Sequence, residues 1–317
     1  MKAIVYTNYG LPGVLQLKEI EKPVPGDNEI LIKIIATAVN SADWRLRKAD
    51  PFAVRLFFGL TKPKKQILGG VLSGLIETVG KNVTRFKVGD LVFGSTGISF
   101  GAYAEYICLP DNAVLDLKPE NISHEQAATI PFGGITALHF FRKADIKAGQ
   151  NVLIIGASGA VGTAAIQLAK HFGAQVTGIC STENLALVKS LGADHVIDYK
   201  SEDFTKNDKT YDVVFETVNK VPVSDCVQSL AKNGVLILSA AGITEMIQGL
   251  WTSKFKNKKL IMGVSKETQE EISFIKDLVE AGKYKAVVDK TYSLEQMSEA
   301  HAYVELGHKK GNVAITV

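Results

Sequence analysis

In residues 29–39 apolar side chains recur at every second position, Ile30, Ile32, Ile34, Ala36 and Ala38, which predicts a β-strand with one face turned inward. Shorter runs of the same character at 2–6, 14–20, 71–79, 88–94 and 102–108 are separated by glycine, proline and Asp/Asn turns. Many short strands joined by tight turns predict a compact, barrel-like β module.

The pattern changes near Pro119. Ser123 and Gln126 have capping-box spacing, so a helix is expected to begin at His124. Residues 151–155, N-V-L-I-I, are a continuous apolar run, the pattern of a strand buried on both faces of a parallel sheet. After a glycine-rich turn, 160–171 hold strong helix formers, with Val161, Ala164, Ala165, Leu168 and Ala169 near helical spacing and Gly173 beyond the end. Further strands are predicted at 175–180, 195–198, 211–216, 235–239 and 259–264, interleaved with helices at 184–191, 224–231 and 267–281. This alternation predicts an α/β fold with a doubly wound parallel sheet. A second capping box, Ser293 and Gln296, opens a helix that Gly307 closes, and 312–317 end as a strand. These last segments are expected to return to the first domain, giving 1–123 with 289–317 as the β-rich domain and 124–288 as the dinucleotide-binding domain.

Composition narrows the function classes. A chain of 317 residues with 46% hydrophobic and 22% charged residues is globular and long enough for two cores. A net charge of +3, from 36 basic and 33 acidic residues, gives no electrostatic footprint for nucleic acid or an anionic membrane. The three cysteines, Cys108, Cys180 and Cys226, are scattered, which argues against a disulfide framework and a clustered zinc site. The first residues turn polar too soon for a signal peptide, and the uncharged stretch 152–169 holds glycines, Ser158, Thr163 and Gln167 that fit a buried strand and helix better than a membrane span. A cytoplasmic protein is expected.

Strand, tight glycine turn and helix together form the phosphate-binding start of a βαβ unit, because free N–H groups at a helix N-terminus attract a pyrophosphate where no Cβ blocks it. Gly156, Ser158, Gly159, Ala160, Val161 and Gly162 are therefore candidate cofactor-binding positions, Gly159 permitting the approach and Gly162 the packing. Against G-x-G-x-x-G, Ala157 stands where the first glycine is usual. A merely structural turn is the alternative; the position between a buried strand and a helix favours the nucleotide.

Five segments, S-G-L-I-E-T-V-G (73–80), F-K-V-G-D-L-V-F-G (86–94), G-A-Y-A-E-Y (101–106), I-G-A-S-G-A-V-G-T-A-A-I-Q-L-A (155–169) and L-G-A-D-H-V-I-D-Y (191–199), resemble the medium-chain dehydrogenase/reductase superfamily. The likeness covers essentially the whole chain and is nearest to the zinc-independent quinone oxidoreductases and related enone reductases. It implies a GroES-like N-terminal barrel domain beside a Rossmann nucleotide-binding domain, and a homodimer. In zinc-dependent relatives a cysteine, a histidine and a second cysteine or acid bind the catalytic metal; the flanking motifs align those positions with Asn40, Gly70 and Phe132, so no metal is expected. A quinone or α,β-unsaturated carbonyl then becomes the easier acceptor, since the charge brought by a hydride spreads through its π system.

The resemblance also assigns residues. Ser158, Gly159, Ala160 and Val161 line the pyrophosphate, and Thr136 lies by the nicotinamide unless it is an ordinary helix residue. Gly242 belongs to the same cofactor set. Ser181 and Tyr199 match positions that hold the 2′-phosphate of NADPH, and Lys200 adds charge, whereas Glu183 leaves NADH possible. In A-V-N-S-A-D-W (38–44), Asn40 would donate to the acceptor's oxygen and Trp44 would form a wall or donate through its indole; capping a turn and filling a core are the alternatives. Asp43 is expected to orient the loop, and Tyr103 is a weaker pocket candidate. Two rivals are weighed. A short-chain dehydrogenase needs Tyr-x-x-x-Lys, which none of the nine tyrosines supplies; a nucleotide-binding sensor with little turnover would need no catalytic pair at all.

Overall fold

The computed structural model describes residues 1–239 and 257–317. The chain forms two compact units, Met1–Phe132 with Glu267–Ala281 and Ala286–Val317, and Gly133–Lys266 with Gly282–Lys285. The helix Gln269–Glu280 groups with the first unit, unlike the division expected from the pattern, because Gln269, Ser273 and Lys276 all hydrogen-bond to Asp116 while Asn121 bonds the Val279 carbonyl. Thr268 and Glu271 cap its start reciprocally.

The first unit is built on Glu29–Val39. Val71–Val79 pairs antiparallel along one edge, while the other edge takes Tyr106–Pro110 beside its first half and Asn312–Thr316 beside its last residues. The alternating face is buried as the pattern predicts, Ile30, Ile32, Ile34, Ala36 and Ala38 all being 2% exposed or less. Val39 on the opposite face is buried as well, packed with Val313, Ile315 and Met297 of the returning C-terminal segment. The strand is thus amphipathic only where nothing covers its second face. The capping box at Ser293 and Gln296 forms, but it opens a 3-10 turn, Leu294–Gln296, before the helix Met297–Glu305.

In the second unit six parallel strands lie in the order His195–Asp198, Gln175–Cys180, Asn151–Ile155, Tyr211–Glu216, Leu230–Leu238 and Lys259–Met262. Numbered along the chain this is 3-2-1-4-5-6, the doubly wound order whose reversal point falls beside Asn151–Ile155. The helix expected at 224–231 is shorter, Val223–Gln228, because Tyr211 donates to the Ser229 carbonyl (2.9 Å) and pairs with Leu230, drawing the chain into the sheet early. The helix expected at 184–191 splits into a 3-10 turn, Thr182–Asn184, and Leu185–Ser190. Helix His124–Ala144 begins at the residue predicted from Ser123 and Gln126, whose reciprocal bonds are both present. No helix among the described residues is long and apolar enough to cross a membrane.

Candidate active site

The turn after Asn151–Ile155 is shaped by three glycines. Gly156 has φ +77°, in the left-handed region, and its Hα side is closed by Thr217 and Val218, so a Cβ there would lie 2.7 Å from Thr217 Oγ1. Thr217 is in turn fixed by a 2.7 Å hydrogen bond to the Ile155 carbonyl. At Gly162, in the first turn of helix Ala160–His171, a Cβ would meet the Gly156 carbonyl oxygen at 2.2 Å and the Ala157 Cα at 2.7 Å. Helix and turn touch backbone to backbone there. Gly159, the helix N-cap, is different: a Cβ on it would find only the Gly156 oxygen, at 3.5 Å. One glycine is required by the fold, the other leaves an open approach to the helix N-terminus, a cradle suited to a pyrophosphate.

Beside this turn stands the end of Gln175–Cys180. Ser181 follows it, and Tyr199, 57% exposed, follows the neighbouring strand and donates its backbone N–H to the Cys180 carbonyl (3.2 Å). The fold therefore brings Ser181 and Tyr199 to one sheet edge. Asn184 joins the two regions: its Nδ2 donates to Ser158 Oγ (3.2 Å) and Ser181 Oγ (3.1 Å), while its buried Oδ1 has no partner. Sequence reading overlooked Asn184, although an Asn immediately before a helical run is a recognisable capping signal. Glu183 and Lys200 pair with each other at 2.5 Å in solvent, and that hydrogen bond holds the Glu183 carboxyl down at about 2. Asp198 accepts from Thr182 Oγ1 (2.6 Å) and the Lys200 N–H (3.0 Å), which together hold its carboxyl below the usual range. Thr136 is half-buried, its Oγ1 3.5 Å from Ser265 Oγ. Gly242 lies outside the described residues.

The first unit supplies a second polar group. Asn40, 2% exposed, is the N-cap of helix Ser41–Lys48, its side chain facing the Asp43 N–H while its own N–H donates to Asp43 Oδ2 at 2.8 Å. Asp43 Oδ1 accepts from the Gly69 N–H at 3.3 Å, and the Tyr103 hydroxyl, which donates to the Ala38 carbonyl at 3.5 Å, lies near this carboxyl. Burial raises Asp43 to about 6, outweighing the two backbone hydrogen bonds and the nearby Tyr103 hydroxyl, which favour its charged form. Asn40 is thus the N-cap of this helix, the Asp43 N–H donating to its backbone carbonyl at 3.2 Å. Trp44 packs against the core, with the Arg45 guanidinium 5.2 Å and the Lys48 ammonium 5.9 Å from its ring. Tyr103 is fully buried, so it does not line a pocket as expected. Among the described residues no three His, Cys, Asp or Glu side chains gather as a metal-binding group.

Three family models match: the alcohol dehydrogenase GroES-like domain over residues 26–119, the zinc-binding dehydrogenase family over 191–315, and the C-terminal domain of alanine dehydrogenase/PNT over 140–237. A chloroplastic quinone-oxidoreductase of Triphysaria versicolor is 34% identical, the alignment covering 99% of this chain and 98% of that one. An NADPH-dependent alkenal/one oxidoreductase of Arabidopsis thaliana is 31% identical over 99% of this chain and 79% of its own length. The solved structure of a quinone oxidoreductase from Coxiella burnetii superposes with a TM-score of 0.90 at 31% identity, covering 100% of this chain and 99% of that one.

Proposed function

This chain belongs to the medium-chain dehydrogenase/reductase superfamily, among its zinc-independent quinone oxidoreductases and enone reductases, and from that premise we propose that it is an NADPH-dependent enzyme reducing quinones or α,β-unsaturated carbonyls. The observation that carries the reading is the pairing of a closed Gly162 with an open Gly159 at the N-terminus of helix Ala160–His171. Ser158, Ala160 and Val161 would surround the pyrophosphate with the N–H groups of that first turn, Gly156 shaping the turn behind them. Thr136 would lie by the nicotinamide, and Ser181 and Tyr199 by the adenosine ribose. A bound reduced nicotinamide would supply the hydride.

On the acceptor side Asn40 would donate its amide N–H to the oxygen on which charge develops, and Trp44 would form an apolar wall. A conjugated acceptor asks little more, because its π system spreads that charge. The NADPH preference rests on Ser181 and Tyr199, with the repulsion of Glu183 offset by its ion pair with Lys200. A cytoplasmic homodimer without membrane or nucleic-acid partners completes the proposal.

Loss of reduced-nicotinamide absorbance, followed with NADPH and NADH against an ortho-quinone and a simple enone, tests the reading. Turnover led by NADPH, unchanged by added zinc or chelator, is the expected result. Tight cofactor binding without turnover across a broad acceptor panel would replace it with the sensor reading.

A further inference from the structure

Helix Met297–Glu305 carries His301 into the interior of the first unit, where His301, Tyr103 and Arg47 are fully buried and Asp43 is 1% exposed. Four such polar side chains in one core are costly unless their hydrogen bonds are arranged for a purpose. His301 Nε2 lies 3.3 Å from the Tyr103 hydroxyl, with the two rings edge to face at 5.6 Å between centroids. The Tyr103 hydroxyl in turn donates to the Ala38 carbonyl at 3.5 Å and lies near Asp43, which holds the backbone N–H of Asn40.

Chemistry fixes the direction of this line. A carbonyl only accepts, so the Tyr103 hydroxyl donates to the Ala38 oxygen at 3.5 Å and has no proton left for His301. His301 must then donate from Nε2 to the Tyr103 oxygen, which makes its Nδ1 proton-free. Burial first, and the Arg47 cation second, push His301 down to about 3, so it stays neutral and keeps that role. Arg47 is held at its far end by Glu305, which also binds Lys48 at 2.9 Å. Three buried atoms, His301 Nδ1, Arg47 Nε and Arg47 Nη1, have no partner. An apolar core would avoid that cost, and polar imperfection of this kind is expected where a site must be aimed rather than merely filled.

We propose that Tyr103 and His301 are positioning residues, which hold the Ala38 carbonyl and through it the Asn40 loop two residues on, in the orientation that presents the Asn40 amide to the acceptor. The inference rests on the reductase reading above. It links a residue near the C-terminus to the acceptor side of the reaction, and it assigns no contact with substrate to either residue. The titratable groups around Asp43 are Tyr103 and Tyr6, its other neighbours being the Asn40 and Gly69 amides; Arg47, paired with Glu305, is the nearest fixed cation to the His301 end.

The test compares Tyr103→Phe, His301→Gln and His301→Leu with the wild type in kcat and acceptor KM between pH 5 and 8, alongside NADPH-binding titration and thermal unfolding. Tyr103→Phe should lower kcat about tenfold, the scale on which small misplacements act, with NADPH affinity unchanged. It should also move the acid limb of the kcat profile to higher pH, because the hydroxyl near Asp43 that favours its charged form is lost. His301→Gln, which keeps an amide N–H to donate, should retain most of kcat, whereas His301→Leu should not. An active wild type, with folded Tyr103→Phe or His301→Leu at wild-type kcat and an unmoved acid limb, overturns the inference alone. If Tyr103→Phe does not fold, equal kcat in the two His301 variants overturns it. A wild type inert toward every acceptor overturns the reductase reading and the inference with it.

Discussion

Seven consecutive residues, 156–162, make the nucleotide turn, whereas the group around Asn40 draws on positions 40, 43, 69, 103 and 301. The first acts through backbone: its N–H groups, one left-handed glycine and two places where a Cβ is absent for different reasons. The second acts through side chains, each oriented by the next. Chemistry carried by backbone is local in sequence and intolerant of added atoms. Chemistry carried by side chains is assembled by the fold and intolerant of lost ones.

The largest expected effect separates the two uses of glycine within the turn. Gly162→Ala sets a methyl 2.2 Å from the Gly156 oxygen and 2.7 Å from the Ala157 Cα, both backbone, so the helix start must move. Overpacking of this sort costs about 1–3 kcal/mol of stability, and a misaligned first turn should weaken NADPH binding roughly 100-fold. Gly159→Ala meets nothing nearer than 3.5 Å. It should leave the melting temperature within about 3 °C and still weaken binding roughly tenfold, because the methyl occupies the pyrophosphate's approach. Calorimetry with fluorescence titration reads both quantities. A Gly159→Ala protein that binds NADPH like the wild type would show that the open face is not the phosphate side.

The side-chain cluster should announce itself through pH. His301 is held down at about 3, so as pH falls below about 6.5 the unfolded chain takes up a proton that the folded chain refuses, and stability is lost toward pH 3. Asp43 works in the opposite sense. Its carboxyl is raised to about 6, so the folded chain takes up a proton first and gains stability as pH falls from 6 toward its unfolded value near 4. The two oppose each other between pH 6 and 4, and below that the His301 loss continues alone. His301→Gln removes only the loss. Its unfolding free energy, measured by denaturant titration from pH 7 to pH 3.5, should therefore fall less steeply than that of the wild type, by up to about 1.4 kcal/mol per pH unit once His301 dominates. Parallel curves would mean that His301 is protonated in the folded protein.

Legibility followed the same division. The strand Asn151–Ile155, the helix Ala160–His171 and the start of His124–Ala144 were readable because apolar period, glycine placement and a capping box act within a few residues. The strand Leu230–Leu238 was read too short, since its early entry depends on pairing with Tyr211, which no local pattern announces. Asn40 and Asp43 were singled out by motif, yet nothing near them in sequence pointed to His301. That residue sits on a helix with its own ordinary apolar spacing, and its partner is 198 positions away. Asn184 is intermediate: its capping signal was present, but its bonds to Ser158 and Ser181 exist only once the turn and the second strand are side by side.

The smallest effect concerns the sheet edge beside the nucleotide turn. Glu183 and Lys200 are largely exposed, and an ion pair in solvent contributes little to the fold, so either can be changed without loss of stability. Their pairing has a different consequence. The Lys200 ammonium, whose pKa is raised by its hydrogen bond to Glu183, spends on that carboxylate the charge a 2′-phosphate would use, and Glu183 is spared from repelling it. Glu183→Gln should free Lys200 and raise the NADPH:NADH ratio of kcat/KM about threefold, the scale of one exposed charge contact. Lys200→Ala should leave Glu183 unpaired beside the ribose and lower the ratio by a similar factor. Shifts in opposite directions would locate the 2′-position beside Ser181 and Tyr199. If neither variant moves the ratio, while Ser181→Ala does, selectivity is set by hydroxyl contacts at the strand end and the ion pair is only a solvated neighbour.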